Sequence, residues 1–228
     1  MERVKTGIQG LDEMLNGGIP VGRHVALYGG PGAGKTSFCF EYLYQGAKMG
    51  ENGLYISLEE TQEDIIENMK NSFTLFTDTS QLIAERKLEI VKPEKLNLEE
   101  VANLLEDRIT SNNIKRAAID SATMIRLSFS SEIEYRQTLF EFLSLLRNLD
   151  VTTITTVEAS TAKRELMEYD IEHFVMDGIV NLYNLDREDR RVRALEIFKM
   201  RGTDHSRDLV PFKVTPSGIK VYVGEKVF

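Results

Sequence analysis

Apolar and polar positions follow two alternating patterns along the first two-thirds of the chain. Short apolar runs predict buried strands, and longer segments with apolar residues every three or four positions predict amphipathic helices. The predicted strands are residues 24–28, 53–58, 88–91, 116–120 and 151–157, and the predicted helices are approximately 35–49, 61–72, 98–109 and 133–149. Because strands and helices alternate, this part predicts βαβ units, and therefore a mainly parallel, twisted sheet flanked by helices.

The pattern of apolar positions changes in the last third of the chain. Four strand-like runs follow one another at residues 178–183, 192–200, 212–215 and 219–223. Their connections are rich in turn residues and too short for crossover helices, which predicts antiparallel strands at the C-terminal end. Because no linker or repeat interrupts the pattern, we expect one α/β domain over residues 1–228.

Composition and charge narrow the class of protein. The net charge of -8 opposes non-specific binding to nucleic acid or to an anionic membrane surface. The single cysteine, Cys39, excludes an intrachain disulfide, and its apolar neighbours predict a buried side chain. No Cys/His cluster indicates zinc. Since no apolar run of membrane-spanning length occurs either, we expect a soluble, cytoplasmic protein that contacts no membrane.

A glycine-rich loop lies between the first predicted strand and the first predicted helix. The segment GGPGAGKT at residues 29–36 fits the phosphate-loop pattern through Gly29, Gly34, Lys35 and Thr36. A chance match in a chain of this length is on the order of one in a hundred, so a simple turn is the weaker interpretation. The expected nucleotide-binding residues are Gly30, Pro31, Gly32, Ala33, Gly34, Lys35, Thr36 and Ser37. We expect Lys35 to contact the β- and γ-phosphates of ATP and the Thr36 hydroxyl to bind Mg²⁺.

Several carboxylates follow predicted strands, at the edge of the sheet where the phosphates would lie. Asp120 is the candidate second ligand of Mg²⁺, and the alternative is an aspartate that caps a turn. Glu59 and Glu60 could orient and deprotonate an attacking water, or could only complement the N-terminus of the next helix. These two alternatives are equally supported by the local sequence. Glu158 could contact the γ-phosphate, but an exposed surface glutamate is the simpler interpretation.

Five motifs in the same order resemble the KaiC-type members of the RecA/RadA superfamily, in particular the single-domain archaeal type. They are TGIxGLDxxLxGGIPxG at residues 6–22, GGPGAGKT at 29–36, the Glu59–Glu60 pair, IDS at 119–121 and KMRGTDH at 199–205. The resemblance covers nearly the whole chain. It implies a RecA-like P-loop ATPase core and a homo-oligomeric ring, most simply a hexamer, with ATP between neighbouring subunits.

The resemblance also implies roles for individual residues. By this resemblance, Asp120 is the acid that binds Mg²⁺, and Glu59 and Glu60 are the catalytic glutamates. The residues that would contact a neighbour's ATP are Lys199, Arg201 and His205. Of these, Arg201 would be catalytic together with Lys35. On charge alone, the same segment would be a solvated basic turn.

Two departures from the clock-type members of the family limit the resemblance. Those members carry two such domains in tandem, whereas this chain has one. Their autophosphorylated Ser–Thr pair precedes an aspartate that matches Asp177, and here His173 and Phe174 stand at those positions. We therefore expect no autophosphorylation of that kind.

The leading functional prediction is an ATPase that hydrolyses ATP to ADP and phosphate at the subunit interfaces of a ring. It would couple nucleotide state to signalling or assembly through an unidentified protein partner. One alternative is an ATP-bound assembly module that does not hydrolyse. Another is a recombinase-related accessory protein that binds single-stranded DNA, which the acidic charge and the absence of tryptophan disfavour.

Overall fold

The computed structural model describes residues 1–159, 169–187 and 190–227. The strands are β1 (Arg3–Val4), β2 (Ile19–Pro20), β3 (His24–Gly29), β4 (Asn52–Ser57), β5 (Leu88–Val91), β6 (Ile114–Asp120), β7 (Thr152–Glu158), β8 (Gly178–Arg187), β9 (Arg190–Met200), β10 (Val210–Thr215) and β11 (Gly218–Val221). The helices are α1 (Leu11–Met14), α2 (Lys35–Lys48), α3 (Gln62–Ser72), α4 (Thr79–Ala84), α5 (Leu98–Asn112), α6 (Ala122–Arg126), α7 (Glu132–Asn148) and α8 (Ile171–Val175). None of these helices is both long and apolar enough to cross a membrane.

Within the described residues, one nine-stranded sheet organises the fold in the order β11-β10-β9-β8-β3-β7-β6-β4-β5. Strand β3 pairs in parallel with both β7 and β8, and β4 pairs in parallel with β5 and β6. Strands β8 to β11 pair with each other in antiparallel fashion. The predicted RecA-like class, a mainly parallel sheet flanked by helices with antiparallel strands at the C-terminal end, is confirmed.

The central strands are buried on both faces. In β3, Val25 and Leu27 pack in the cluster that contains α2 and α3, whereas Ala26 and Tyr28 pack in the cluster that contains α5 and α7. This alternation follows from the two-residue period of a strand. Burying a side chain of leucine or valine size contributes about 1.5–3 kcal/mol, so the two clusters hold the helices on the sheet.

Sequence and structure differ mainly in short or charged elements. The short helices α1, α4, α6 and α8 were not predicted, because none is long enough to repeat a helical apolar pattern. Strands β8 and β9 pair as far as Arg187↔Arg190, beyond the predicted ends of both strands. Leu185 packs with Val192 in this part of the hairpin, but the charged residues that follow Leu185 interrupt the apolar pattern.

One buried carboxylate joins the helix after the phosphate loop to the β10–β11 hairpin. Glu41, on α2, accepts a hydrogen bond of 2.7 Å from the backbone N–H of Ile219. The glycine that precedes Ile219 is required here, since Gly218 has a φ of 106° and a Cβ would approach the Glu41 carboxylate to 2.6 Å. Burial raises the pKa of Glu41 from 4.5 to about 7, and the Ile219 N–H offsets part of that effect.

We predict that Glu41→Gln reduces the pH dependence of stability near neutrality. The folded-state pKa lies above the unfolded one, so the stability linked to Glu41 is fully present below pH 4.5 and is lost as the pH rises through about 7. In the variant this loss, up to about 3 kcal/mol, should be absent. Urea unfolding between about pH 5 and pH 8 measures it. Glu67→Gln on the exposed side of α3 is the control, and equal pH slopes in all three proteins would contradict the prediction.

Candidate nucleotide site

The phosphate loop leaves β3 at Gly29 and enters α2 at Lys35. Two of its glycines have left-handed backbone angles, with a φ of 71° at Gly32 and of 100° at Gly34, the N-cap of α2. A side chain would strain the backbone at either position, so the loop conformation itself requires glycine. The loop therefore ends at the N-terminus of a 14-residue helix, where free N–H groups and the helix dipole favour phosphate.

A pocket of about 290 Å³ opens over this loop. The loop, the first turn of α2 and two C-terminal strands line it, through Gly30, Gly32, Gly34, Lys35, Thr36, Ser37, Arg193 and Val214. Of the other predicted loop residues, Pro31 is exposed and Ala33 is buried. Arg193, on β9, donates hydrogen bonds of 3.1 and 3.3 Å to the Gly32 carbonyl. Arg193 and Val214, which line one side of the pocket, were not predicted from the sequence.

A second, smaller pocket of about 80 Å³ adjoins the first at Lys35 and Thr36. Its full lining is Lys35, Thr36, Ser57, Glu59, Glu60, Ile65, Asp120, Ser121 and Glu158. The Lys35 ammonium donates to the carbonyls of Gly29 and Gly30, at 2.8 and 3.4 Å. The candidate phosphate-binding lysine, both candidate metal ligands and both candidate catalytic glutamates thus lie around one pocket.

Three hydroxyl groups fix the orientation of the Asp120 carboxylate. Oδ2 accepts hydrogen bonds from Thr36 Oγ1 at 2.9 Å and from Tyr55 Oη at 2.6 Å, and Oδ1 accepts one from Thr156 Oγ1. Tyr55 is on β4 and Thr156 is on β7, the strands on either side of β6. Neither residue was predicted from the sequence. The threonines at buried positions of β7 were the available signal, because a buried hydroxyl needs a partner.

The donors at Thr36 and Asp120 fit Mg²⁺. The hydroxyl and carboxylate oxygens that lie 2.9 Å apart are the hard ligands that this ion prefers. Among the described residues, no group of three or more His, Cys, Asp or Glu side chains could hold a metal ion. A set of one carboxylate and one hydroxyl matches an ion whose remaining ligands are water and substrate phosphate.

The two glutamates after β4 have different surroundings. Glu59 Oε1 accepts a hydrogen bond of 3.0 Å from the hydroxyl of Ser121, the residue after Asp120. Glu60 Oε2 instead accepts one of 3.0 Å from Asn68, on α3. Glu59 is therefore held on the side of Asp120, whereas the Glu60 carboxylate is drawn towards α3.

Glu158 is exposed at the end of β7 and also lines the smaller pocket. It is level with Gly29 in the pairing of β7 with β3. Its backbone N–H donates to Thr123 Oγ1 at 3.0 Å. The side chain thus stands at the mouth of the site, a position compatible with both interpretations that the sequence left open.

The segment 199–205 lies at the end of the strands opposite to the end that carries the phosphate loop. Pairing puts Gly178 beside both Val25, near the start of β3, and Met200, at the end of β9. The phosphate loop leaves the other end of β3, about 13 Å further along the strands at ~3.3 Å per residue. The three predicted residues of this segment are therefore not brought to the phosphate loop of their own chain.

Cations of this segment bind the carboxyl end of α8. Lys199 Nζ donates to the His173 carbonyl at 2.8 Å, and Arg201 donates to the Phe174 carbonyl at 2.6 Å. Burial and the charge of Arg201 lower the pKa of Lys199 to about 8. The third predicted residue, His205, contacts the next backbone carbonyl through Nδ1 at 2.8 Å.

Three guanidinium groups surround Asp177 at the end of the sheet away from the phosphate loop. Its buried Oδ1 lies 3.0 Å from Arg147, 3.4 Å from Arg23 and 3.9 Å from Arg201. Its other oxygen accepts a hydrogen bond of 3.3 Å from the backbone N–H of His24. One carboxylate thus faces three cations at this end of the sheet.

His173 and Phe174, at which we expect no phosphorylation, both lie in α8. His173 is buried, and its Nδ1 accepts a hydrogen bond of 3.1 Å from the Asp170 N–H. Phe174 is exposed and has no nucleophilic group. Cys39 is fully buried, as predicted, and burial raises the pKa of its thiol well above the usual value.

Comparison with known proteins identifies the family of this chain. A family model described as "ATPase: KaiC" matches residues 4–226. The "UPF0273 protein" of Thermotoga maritima is 34% identical over 241 residues, which cover 99% of this chain and 98% of that protein. The "Circadian clock oscillator protein KaiC" of Synechococcus elongatus is 32% identical over 231 residues, which cover 96% of this chain.

The two relatives differ in length. The alignment covers only 44% of the Synechococcus protein, so this chain spans less than half the length of that relative. The "Circadian clock oscillator protein KaiC 1" of Synechocystis, 32% identical over 233 residues, is also covered to 44%. The family model nevertheless extends over nearly all of this chain, from the first strand to the residues after β11. The chain therefore belongs to the KaiC family of ATPases.

Proposed function

We propose that this chain binds Mg²⁺·ATP at the phosphate loop and hydrolyses it to ADP and phosphate. The observation that carries the proposal is the pocket that Lys35, Thr36, Glu59 and Asp120 line together at the carboxyl edge of the sheet. Membership of a family of ATPases supports it.

Lys35 and the N-terminus of α2 bind the phosphates. The Lys35 ammonium already lies over the loop, where it binds two carbonyl oxygens. Phosphate oxygens are stronger acceptors for an ammonium because both partners are charged. Arg193 and Val214, on the other side of the loop, line the same pocket and would contact the bound nucleotide.

Thr36 and Asp120 would hold Mg²⁺. The ion would act as a Lewis acid that withdraws charge from the phosphate oxygens. Tyr55 and Thr156 keep the Asp120 carboxylate in one orientation through their hydrogen bonds. A ligand whose orientation is fixed in advance loses little entropy when it binds.

Glu59 is the better-placed general base. It accepts a proton from water as the water oxygen bonds to the γ-phosphorus and the bond to the β–γ bridging oxygen breaks. The hydroxyl of Ser121 orients the Glu59 carboxylate beside Asp120. Glu60, which Asn68 binds, has a supporting role.

The first prediction from this proposed function concerns ATP binding. Lys35→Ala should weaken the binding of a non-hydrolysable ATP analogue by about 100-fold, because a charge-assisted contact to phosphate is lost. Isothermal titration calorimetry measures the affinity, and circular dichroism checks the fold. Lys70→Ala, an exposed lysine on α3, should bind like the wild type. Unchanged affinity in folded Lys35→Ala protein would refute the phosphate-loop assignment.

The second prediction concerns hydrolysis. The Glu59→Gln/Glu60→Gln double variant should lose at least about 100-fold in phosphate release, because an amide keeps the shape of the carboxylate but is not a base. Its affinity for the ATP analogue should remain close to that of the wild type. Glu59→Gln alone should be slower than Glu60→Gln alone, and Glu63→Gln on α3 is the control. Wild-type turnover in the double variant would exclude both glutamates as the base.

We further propose that Arg201 acts on the ATP of a neighbouring copy, with Lys199 and His205 beside it. Its place at the opposite edge of the sheet puts it out of reach of the phosphate loop of its own chain. A head-to-tail contact between copies brings the two edges together, and repetition of that contact closes a ring when the rotation allows. We propose a hexamer, in which nucleotide state is conveyed to a protein partner through the assembly.

The third prediction tests this transfer between copies. Lys35→Ala subunits keep Arg201 but lack a working phosphate loop, and Arg201→Ala subunits have the opposite defect. Each alone should be nearly inactive, because an arginine supplied by a neighbour can raise the rate by roughly 10³–10⁵. Mixed assemblies should recover part of the ATPase activity. If proven co-assemblies of the two inactive parents stay inactive, Arg201 does not act on a neighbour's site.

A further inference from the structure

The Asp120 carboxylate uses most of its hydrogen-bonding capacity within the protein. Its Oδ2 accepts hydrogen bonds from Thr36 at 2.9 Å and from Tyr55 at 2.6 Å, and its Oδ1 accepts one from Thr156. An ionised carboxylate offers about four acceptor positions, two on each oxygen. Both positions of Oδ2 are therefore occupied, whereas Oδ1 keeps one.

The two donors to Oδ2 have different surroundings. Thr36 is half-buried and lines both pockets of the nucleotide site. Because a hydroxyl oxygen also has lone pairs, Thr36 can bind a cation while its O–H still donates to Asp120. Tyr55 is fully buried and is not among the described residues that line either pocket. Its phenol therefore contacts the carboxylate from behind the site.

Strand pairing fixes the position of the Tyr55 ring. Tyr55 is level with Ile90 on β5 and with Ala118 on β6, and it packs in the cluster that contains α2 and α3. Ala118 and Asp120 lie two residues apart on β6, so their side chains are on the same face of the sheet. The Tyr55 hydroxyl is thus held at Asp120 by a ring that is locked in the core.

This hydrogen bond limits how Asp120 can hold a cation. The oxygen nearest Thr36, the other candidate ligand, is Oδ2, and direct coordination by Oδ2 requires a free acceptor position. Since Tyr55 fills one position and the Thr36 hydroxyl fills the other, Oδ2 can act on the cation only through Thr36 and through water. Mg²⁺ tolerates this arrangement because it keeps several of its waters, whereas Ca²⁺ takes more ligands and commonly binds carboxylates directly.

We propose that Tyr55 determines the metal specificity of the nucleotide site. Its hydroxyl keeps Asp120 from coordinating the cation directly and thereby favours Mg²⁺ over Ca²⁺. The inference rests on the proposed function, in which Thr36 and Asp120 hold Mg²⁺, and it assigns the choice of cation to a residue that touches neither cation nor nucleotide. Tyr55 is therefore a positioning residue that acts through Asp120.

The first experiment compares two cations. Tyr55→Phe removes only the hydroxyl and keeps the ring in the core. Isothermal titration calorimetry gives the affinity for a non-hydrolysable ATP analogue at saturating Mg²⁺ and, separately, at saturating Ca²⁺. The wild type should bind more tightly with Mg²⁺, and the ratio of the two affinities should fall by at least about fivefold in Tyr55→Phe. The matched control is Tyr44→Phe, which removes a phenol that donates to another aspartate, Asp78, and should keep the wild-type ratio.

The outcomes separate this inference from the proposed function. If Tyr55→Phe weakens binding equally with both cations, or leaves both affinities unchanged, Tyr55 has no role in specificity and the inference is overturned. A wild type that shows no preference for Mg²⁺ overturns it as well. In either case, binding of the analogue with Mg²⁺ leaves the proposed function standing. If the folded wild type binds the analogue with neither cation, both fail. Circular dichroism establishes that each protein is folded.

The second experiment observes the coordination itself. Mn²⁺, which prefers similar oxygen ligands, replaces Mg²⁺ with the same analogue in protein made by cell-free synthesis with aspartate labelled with ¹³C at the side-chain carboxyl. Asp120 is the one aspartate among the described residues that line the two pockets. Electron–nuclear double resonance measures the coupling of Mn²⁺ to that carbon, which falls steeply with distance.

The coupling should be weak in the wild type and in Tyr44→Phe, and strong in Tyr55→Phe, where Oδ2 is free to bind the ion. A strong coupling in the wild type would mean that Asp120 binds the cation directly despite Tyr55, and it would overturn the inference whether or not the variant folds. An equally weak coupling in folded Tyr55→Phe would overturn it too.

Discussion

The parallel pairing of β3 with β7 and β8 is the constraint on which the candidate site depends. It places Gly29 level with Glu158 on one side and with Leu182 on the other. Strands β4 and β6, paired in the same direction, bring Ser57 level with Asp120. Backbone hydrogen bonds between the strands therefore place the phosphate loop and the carboxylates at one edge of the sheet, independently of any side-chain contact. This is the edge at which open α/β sheets bind ligands.

The same pairing also defines the opposite edge. Strand β8 starts there, directly after Asp177, and the antiparallel return of β9 ends there at Met200. Because three guanidinium groups surround one buried carboxylate, the cations are held in place but their charge is not neutralised. Asp177, directly before β8, therefore fixes three cations at the end of the sheet away from the phosphate loop.

The sequence predicted the parts of the site that depend on local pattern. Lys35 and Thr36 follow from the glycine spacing, and Asp120 and the glutamates follow from strand ends. Tyr55, Thr156 and Arg193 could not be predicted in the same way, because their contacts depend on which strands become neighbours. Tyr55 reaches Asp120 only because β4 lies beside β6, and Arg193 reaches Gly32 only because β9 folds back beside β8. Local periodicity contains no information on strand order.

Helix α7 shows how a correct element prediction can leave its function open. Its apolar residues predict a helix packed on the sheet, and Leu139 and Phe142 are packed as expected. Phe140 lies between them in the sequence but is 58% exposed, so it contributes little to the stability of the fold. The apolar pattern therefore predicts which face of a helix packs inward, but it does not say what an exposed apolar residue on the outer face does.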